Sequence, residues 1–441
     1  MKKILVLGAG LVSKPGVTYL LNQKDFQVTV ASRTVSKAEK LVAGHANGKA
    51  LPVNVERPAE LAALIKDHDI VISLLPWIHH LKVADLCVEH GKHMVTTSYV
   101  SEGMRKLDPE VKRKNLLFLN EMGVDPGIDH MSAMKIIHDV YAKGGKILQF
   151  HSLCGGLPAP EDNDNPFGYK FSWSPKGVVL ASRNSARYLE DGQIKEIPGR
   201  DLFVNYKVEE VEGLGKFEVY YNRDSVPYKE LYGLKDAVTV IRGTYRNIGW
   251  CPTLKKIVDV GLVDDTPTDA LKGLTYKQMM AQLVGAKPDE DVVAKTAAKI
   301  GLAKDSEIIK RFEWLGLFGD DPVPDFNNRL DILSQRMVER MPYREGERDM
   351  LLMRHRFIIQ NKRGGKELIT STLIDYGIPH GDTSMSRTVS LPMAIGTRLL
   401  AEGNIPLTGV QIPVVKEIYE PVLKELGRLH IKMVEKKTKL A

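Results

Sequence analysis

Short apolar runs recur at 4–7, 28–31, 70–75, 94–97 and 116–119, and between them the apolar positions return at helical spacing. A run of four or five β-branched or leucine residues without polar alternation is the mark of a strand buried on both faces, so this third of the chain reads as alternating strand and helix. A weaker run at 49–53 completes a set of six strands. Parallel strands need helical crossovers of one hand, which makes a doubly wound α/β sheet the economical architecture and puts the ligand crevice at the strands' carboxyl ends. From 147 to 242 strand-like runs dominate, at 147–153, 177–181, 202–208 and 237–241. From 247 to 341 helical periodicity takes over, in 270–284, 290–300, 307–317 and 327–341, and it returns at 391–400 and 414–426. The expected organisation is therefore a sheet-rich second domain, a helical insertion, and a C-terminal segment that returns to flank the first domain.

The chain of 441 residues is long enough for two or three domains with separate cores. Its net charge of +7 is spread thinly, apart from Lys432, Lys436, Lys437 and Lys439. No aromatic-interleaved basic stripe accompanies that charge, so no nucleic-acid partner is expected and anionic small molecules are. Cys87, Cys154 and Cys251 are odd in number and widely spaced, which fits a reducing, cytoplasmic setting and supplies no metal-ligand spacing. Gly8 and Gly10 interrupt the first apolar run, which argues against a signal peptide, and no stretch reaches membrane-spanning length.

Gly8-Ala9-Gly10-Leu11-Val12-Ser13 follows the first strand directly and opens a helix containing Pro15. The first glycine permits a tight turn, and the second lets backbone amides approach a pyrophosphate at a helix N-terminus. Ser13 stands where the fingerprint has Gly or Ala. The second strand ends Ser32-Arg33-Thr34. An NAD enzyme places an acid there for the ribose hydroxyl; an arginine suits a 2′-phosphate instead, so NADP is favoured. Ser73 and Leu75 at the fourth strand, and Ser98 and Tyr99 at the fifth, would line the same crevice. After the sixth strand comes Glu121-Met122-Gly123-Val124-Asp125-Pro126-Gly127-Ile128-Asp129-His130, in which Asp125 is either a helix cap or a proton-transfer group. Cys154 ends a strand of the second domain, and Arg223, Arg242 and Arg246 offer guanidinium groups suited to a substrate with more than one carboxylate.

Taken together, Gly8-x-Gly10, Thr97-Ser98-Tyr99-Val100, the 123–130 segment, Cys154-Gly155-Gly156-Leu157-Pro158, Asn165 to Ser174, Arg242-Gly243-Thr244, Gly346 to Met350 and Met385 to Val389 resemble the L-glutamate-forming saccharopine dehydrogenases, in colinear order over most of the chain. The resemblance implies a Rossmann domain (1–125 with 386–441), a mixed α/β substrate-binding and dimerisation domain (126–246 with 342–385) and an all-helical domain (247–341). It implies a cytoplasmic homodimer that oxidises saccharopine reversibly with NADP to L-glutamate and 2-aminoadipate 6-semialdehyde. Ser98, Tyr99, Asp125, Arg223, Thr244, Tyr245 and Arg246 would contact saccharopine. Gly10 to Ser13, Ser32 to Thr34, Asn54, Val55, Ser98 to Val100, Asp125, Pro126, Gly127, Trp173 and Ser174 would contact NADP. Asp125 and Cys154 would handle protons, with Tyr99 orienting substrate or water.

Other readings of these residues remain open. One is an opine-type imine reductase such as a carboxynorspermidine dehydrogenase. Another is a catalytically silent NADP-binding protein. A phosphorylating semialdehyde dehydrogenase with a Cys154 nucleophile would need a histidine partner, and none is evident nearby. The cofactor reading is directly testable. Arg33→Ala is expected to weaken NADP binding by about 1–3 kcal/mol and spare NAD, since one charge-assisted bond to one phosphate is lost. Equal weakening of both dinucleotides in a titration would contradict it.

Overall fold

The computed structural model describes residues 1–173 and 175–440. The chain divides into two units, the first built mainly from Met1–Gly145 and Ser371–Lys436, the second mainly from Lys146–Gln360.

In the first unit the six anticipated strands form: β1 (Lys2–Leu7), β2 (Phe26–Ser32), β3 (Gly48–Pro52), β4 (Ile70–Ser73), β5 (His93–Thr96) and β6 (Leu117–Leu119). A seventh strand, Gly409–Gln411, comes from the C-terminal region and pairs in parallel with β6. The order is then 409–411, β6, β5, β4, β1, β2, β3, with parallel pairing throughout. This is the doubly wound arrangement, with its switch point between β1 and β4. Ile4, Leu5, Val6 and Leu7 are all fully buried, which is why the run lacks alternation: both faces of the sheet are covered. One face packs Leu5, Leu7, Val71 and Phe118 against Leu61, Ile65, Val83 and Val111 of the crossover helices.

The helix Lys14–Leu21 lies against the long helix Ser384–Ala401 at backbone distance. The Gly16 amide donates to Ser390 Oγ at 2.9 Å. A Cβ at Gly16 would come within 2.8 Å of the Ser390 carbonyl oxygen and 3.1 Å of Met393 Cε. The close helix packing that a third fingerprint glycine gives in other dinucleotide folds is thus supplied here by Gly16, three residues after Ser13.

The second unit contains β7 (Lys146–Pro158), β8 (Ala186–Glu190), β9 (Gln193–Ile197), β10 (Tyr206–Val211), β11 (Gly215–Tyr221), β12 (Thr239–Asn247) and β13 (Asp349–Gln360), and β14 (Lys366–Tyr376) begins in it. Its mixed sheet runs β10, β11, β12, β7, β13, β14, then Val434–Lys439. β7 pairs with β12 in parallel and with β13 in antiparallel sense. Segments 177–181 and 202–208 depart from expectation. The helix Pro175–Leu180 covers most of the first, and the second is strand only from Tyr206. Val178, Val179, Leu202 and Phe203 are core residues, and so short an apolar run is ambiguous between a buried helix and a buried strand. Helices Trp250–Val260, Tyr276–Val284, Val292–Lys299, Glu307–Leu315 and Arg329–Arg340 then pack Leu254, Met280, Phe312 and Leu333 into a shared core, as the periodicity indicated.

Gly16→Ala is expected to destabilise the protein by about 1–3 kcal/mol through overpacking on Ser390. Urea unfolding measures this, and an unchanged midpoint would contradict the close approach.

Candidate functional site

At the carboxyl end of β1 the chain turns through Gly8, whose φ of +112° excludes most side chains and whose Cβ would meet the Leu74 carbonyl oxygen at 2.9 Å. The Gly8 amide is held by Ala31 O at 2.9 Å. Ser13 is fully buried, and its Oγ accepts the Gly10 N–H at 3.0 Å and reaches Gly8 O at 3.5 Å. The serine in the third fingerprint position therefore staples the turn from inside and takes up the Gly10 amide. Among the described residues the amides of Leu11 and Val12 have no acceptor, and they face a helix N-terminus where an anion is stabilised. Leu11 itself is 69% exposed.

At the end of β2, Ser32 Oγ accepts the Thr34 amide at 3.3 Å, and exposed Arg33 has no carboxylate partner among the described residues. Asn54, next along this edge, closes a turn by accepting the Glu56 amide at 3.0 Å; Val55 and Leu75 are half-buried. A glycine cradle, two free amides, an unpaired arginine and no acid at the β2 terminus fit a dinucleotide bearing a 2′-phosphate.

The ends of β4 and β5 are joined by a buried polar chain that sequence reasoning missed. Ser73 Oγ lies 2.8 Å from His80 Nδ1, and His80 Nε2 lies 2.8 Å from Ser98 Oγ. Burial pushes the His80 imidazole down to about 4, so the ring is neutral at ordinary pH. Only a polar residue at a helix start, seven positions after a strand-end serine, marked it in the sequence.

Segment 98–100 is also held from the β6 side. Glu121, with a left-handed φ of 60°, donates its amide to Ser98 O at 3.1 Å. Its carboxylate accepts the Val100 amide at 3.0 Å and sits 2.6 Å from Nε2 of fully buried His130. Tyr99 Oη donates to Asp125 Oδ1 at 3.0 Å. The following helix, Ile128–Ala142, has Gly127 at its N-cap, and the Gly127 amide donates to Asp129 Oδ1 at 2.6 Å. Gly127, at φ +145°, leaves no room for a Cβ, which would fall 2.0 Å from Gly123 O; buried Pro126 precedes it.

In the second unit, Cys154 on β7 is 9% exposed and stands in register with Thr244 on β12. Side chains alternate along β12, so Arg242, Thr244 and Arg246 share one face and Tyr245 takes the other. Tyr245 is fully buried and its hydroxyl donates to Glu209 Oε2 at 3.3 Å, so its side chain is engaged away from the Thr244 face. Arg242 is buried over the Tyr228 ring at 4.4 Å. Thr244 Oγ1 accepts from Asn222 at 2.7 Å. Arg223 sits outside the strand, exposed and at φ 57°.

Arg246 is 4% exposed, and its guanidinium lies over the rings of Tyr169 (5.1 Å), Trp250 (5.4 Å) and Tyr220 (5.9 Å). Nη1 donates to Tyr245 O at 2.8 Å, and Nε has no partner among the described residues. Trp173 Nε1 donates to Tyr169 Oη at 3.1 Å and so braces the cage. Ser174 lies outside the described residues.

The first unit defines a dinucleotide-binding oxidoreductase fold. Residues 4–119 match the saccharopine dehydrogenase NADP binding domain, and residues 123–431 match the saccharopine dehydrogenase C-terminal domain. The chain belongs to the saccharopine dehydrogenase family. It is 40% identical over 444 residues to the NADP, L-glutamate-forming saccharopine dehydrogenase of Schizosaccharomyces pombe, covering 99% of both chains. It is 41% identical to the enzyme of the same name from Saccharomyces cerevisiae, covering 96% of each. The apo structure of an L-glutamate-forming saccharopine dehydrogenase from S. cerevisiae superimposes with a TM-score of 0.91 at 40% identity, over 99% of this chain and 100% of that one. Among the described residues no helix is long and apolar enough to cross a membrane.

Glu121→Ala would remove the acceptor that meets buried His130 Nε2 and the Val100 amide, and is expected to cost about 3–5 kcal/mol, against about 1 kcal/mol for Tyr99→Phe. Chemical denaturation of the two variants measures both. Similar small losses would contradict the clamp.

Proposed function

We propose that the protein oxidises saccharopine reversibly with NADP, giving L-glutamate and 2-aminoadipate 6-semialdehyde. It is an NADP-dependent oxidoreductase acting on CH–NH donors. NADP, held at the turns after β1 and β2, would supply the acceptor for the hydride that leaves the carbon joining saccharopine's bridging nitrogen to its lysine-derived arm. The bridging amine gives up its proton, water adds to the resulting imine carbon, and reprotonation of the nitrogen releases glutamate. Asp125 and Cys154 carry the proposed proton transfers. Tyr99, through its hydrogen bond to Asp125, orients that carboxylate.

The observation that carries the substrate reading is Arg246. A guanidinium so far from water, stacked on three aromatic faces and with an Nε that has no partner among the described residues, leaves a buried donor unsatisfied at a cost of about 1–3 kcal/mol. A ligand carboxylate supplies the missing acceptor. Thr244 on the same strand face and Arg223 are the further proposed carboxylate contacts, and Tyr245 contributes through its backbone, since its hydroxyl is engaged with Glu209. For the cofactor, the proposed contacts are the 10–12 and 32–34 turns, Asn54, Val55, Leu75, 98–100 and 125–127, with Trp173 and Ser174; Ser13 and Ser73, expected from sequence to touch it, are fully buried and support these segments from inside. A cytoplasmic location is supported by three buried free cysteines, and a homodimer by the family resemblance. Within the second unit we read 247–341 as a helical domain set into the mixed α/β domain.

Incubation with saccharopine and NADP is expected to release L-glutamate and NADPH in equal amounts. Arg246→Met should raise KM for saccharopine by about tenfold or more, for the loss of a bidentate charged contact, with NADP affinity retained. Absence of glutamate, or an unchanged saccharopine KM in the variant, would overturn the reading.

A further inference from the structure

Ser73, Thr96 and His80 are almost wholly buried, and the protons they share with half-buried Ser98 can be counted one by one. Thr96 Oγ1 donates its single proton to the Ser73 carbonyl at 3.0 Å and accepts the Ser98 amide at 3.3 Å. The Ser73 hydroxyl is fully buried, and His80 Nδ1 is its partner among the described residues. A proton on Nδ1 would point at Ser73 Oγ and leave the serine's own proton buried with nothing to receive it, an expensive arrangement. With Nδ1 bare, Ser73 donates to it and is satisfied. The ring proton then sits on Nε2, which faces Ser98 Oγ at 2.8 Å and Thr96 Oγ1 at 3.5 Å. Both oxygens are acceptors there, because the Thr96 proton is already committed. A bare Nε2 would instead face the Thr96 lone pairs.

We infer that His80 is a positioning residue: its Nε2–H occupies a lone pair of Ser98 and turns the Ser98 hydroxyl proton outward, making Ser98 a donor to an oxygen acceptor of the ligand. The oxygen belongs to a carboxylate of the substrate or to the carboxamide or ribose of the cofactor; this identification rests on the saccharopine and NADP reading above. The neutral state of the ring follows from its burial. Ser98 thus acts with fixed polarity, like a backbone amide, and a ligand group with only donors is rejected at that point.

Nitrogen-15 spectra of the histidine-labelled full-length protein report the tautomer directly, with the His80 signals assigned by their loss in His80→Gln. Nε2 protonated and Nδ1 bare is the expected result; the reverse overturns the proposal, whatever the enzyme turns over. The second arm is kinetic. His80→Asn keeps an acceptor near Nδ1 and loses the donor to Ser98, so it should raise KM for one ligand about tenfold, with a smaller change in kcat. His80→Gln carries an amide nitrogen at the Nε2 position and should recover most of that loss. In a Ser98→Ala background His80→Asn should add nothing, whereas a full additive effect there overturns the proposal. A KM rise confined to saccharopine assigns the acceptor to the substrate, and one confined to NADP, matched by its dissociation constant, assigns it to the cofactor. If the wild-type protein releases no glutamate from saccharopine, the functional reading fails, while the tautomer and the NADP dissociation constants still decide the role of His80.

Discussion

Glu121 carries a carboxylate into the interior at the carboxyl edge of the parallel sheet, and the polar geometry of that edge depends on how the charge is satisfied. A buried acid is tolerated only when its oxygens are matched by donors. Here one oxygen receives the Val100 amide and the other lies against His130, while the Glu121 amide itself binds Ser98 O. The left-handed backbone at Glu121 is unfavourable for a residue with a Cβ, and these bonds hold it there. The result is a segment 98–100 held by these bonds, on which Ser98 and Tyr99 stand with defined directions. His80 fixes the Ser98 hydroxyl, and Asp125 fixes the Tyr99 hydroxyl.

The phosphate turn follows the same logic of internal satisfaction. Ser13 absorbs the Gly10 amide that a more open loop would offer to a ligand, and the Leu11 and Val12 amides stay available. The positive ligand surfaces of the chain are therefore of two kinds. Around the turn they are backbone dipoles with an exposed arginine; around Arg246 they are one desolvated guanidinium stacked on aromatic faces that stabilise the cation. The first kind suits a solvated phosphate, and the second suits a carboxylate that gives up its water on binding.

The sheet of the first unit was legible because strands buried on both faces leave continuous apolar runs, and Gly8 was legible because a turn with positive φ leaves little choice of residue. The strand Gly409–Gln411 was not, since three residues carry no period. Strands β13 and β14 were also missed; in β13 Arg354, His355 and Arg356 interrupt the apolar positions that would have marked it. Of the candidate site, the residues proposed to meet a ligand were nameable from type and position. The residues that hold them were not: His80 acts on partners at 73 and 98, Glu121 on 98, 100 and 130, and the Arg246 cage draws on 169, 220 and 250. Such pairings are made by topology, and no local spacing encodes them. Ser13 was a departure whose meaning only the turn geometry revealed.

The central claim is that this sheet edge selects a phosphorylated dinucleotide for the oxidation of saccharopine. Initial rates of saccharopine oxidation, measured over a range of NADP and separately of NAD, test it most directly. The account predicts a kcat/KM for NADP at least about tenfold above that for NAD, as one charge-assisted phosphate contact supplies. Equal values, or a preference for NAD, would contradict it.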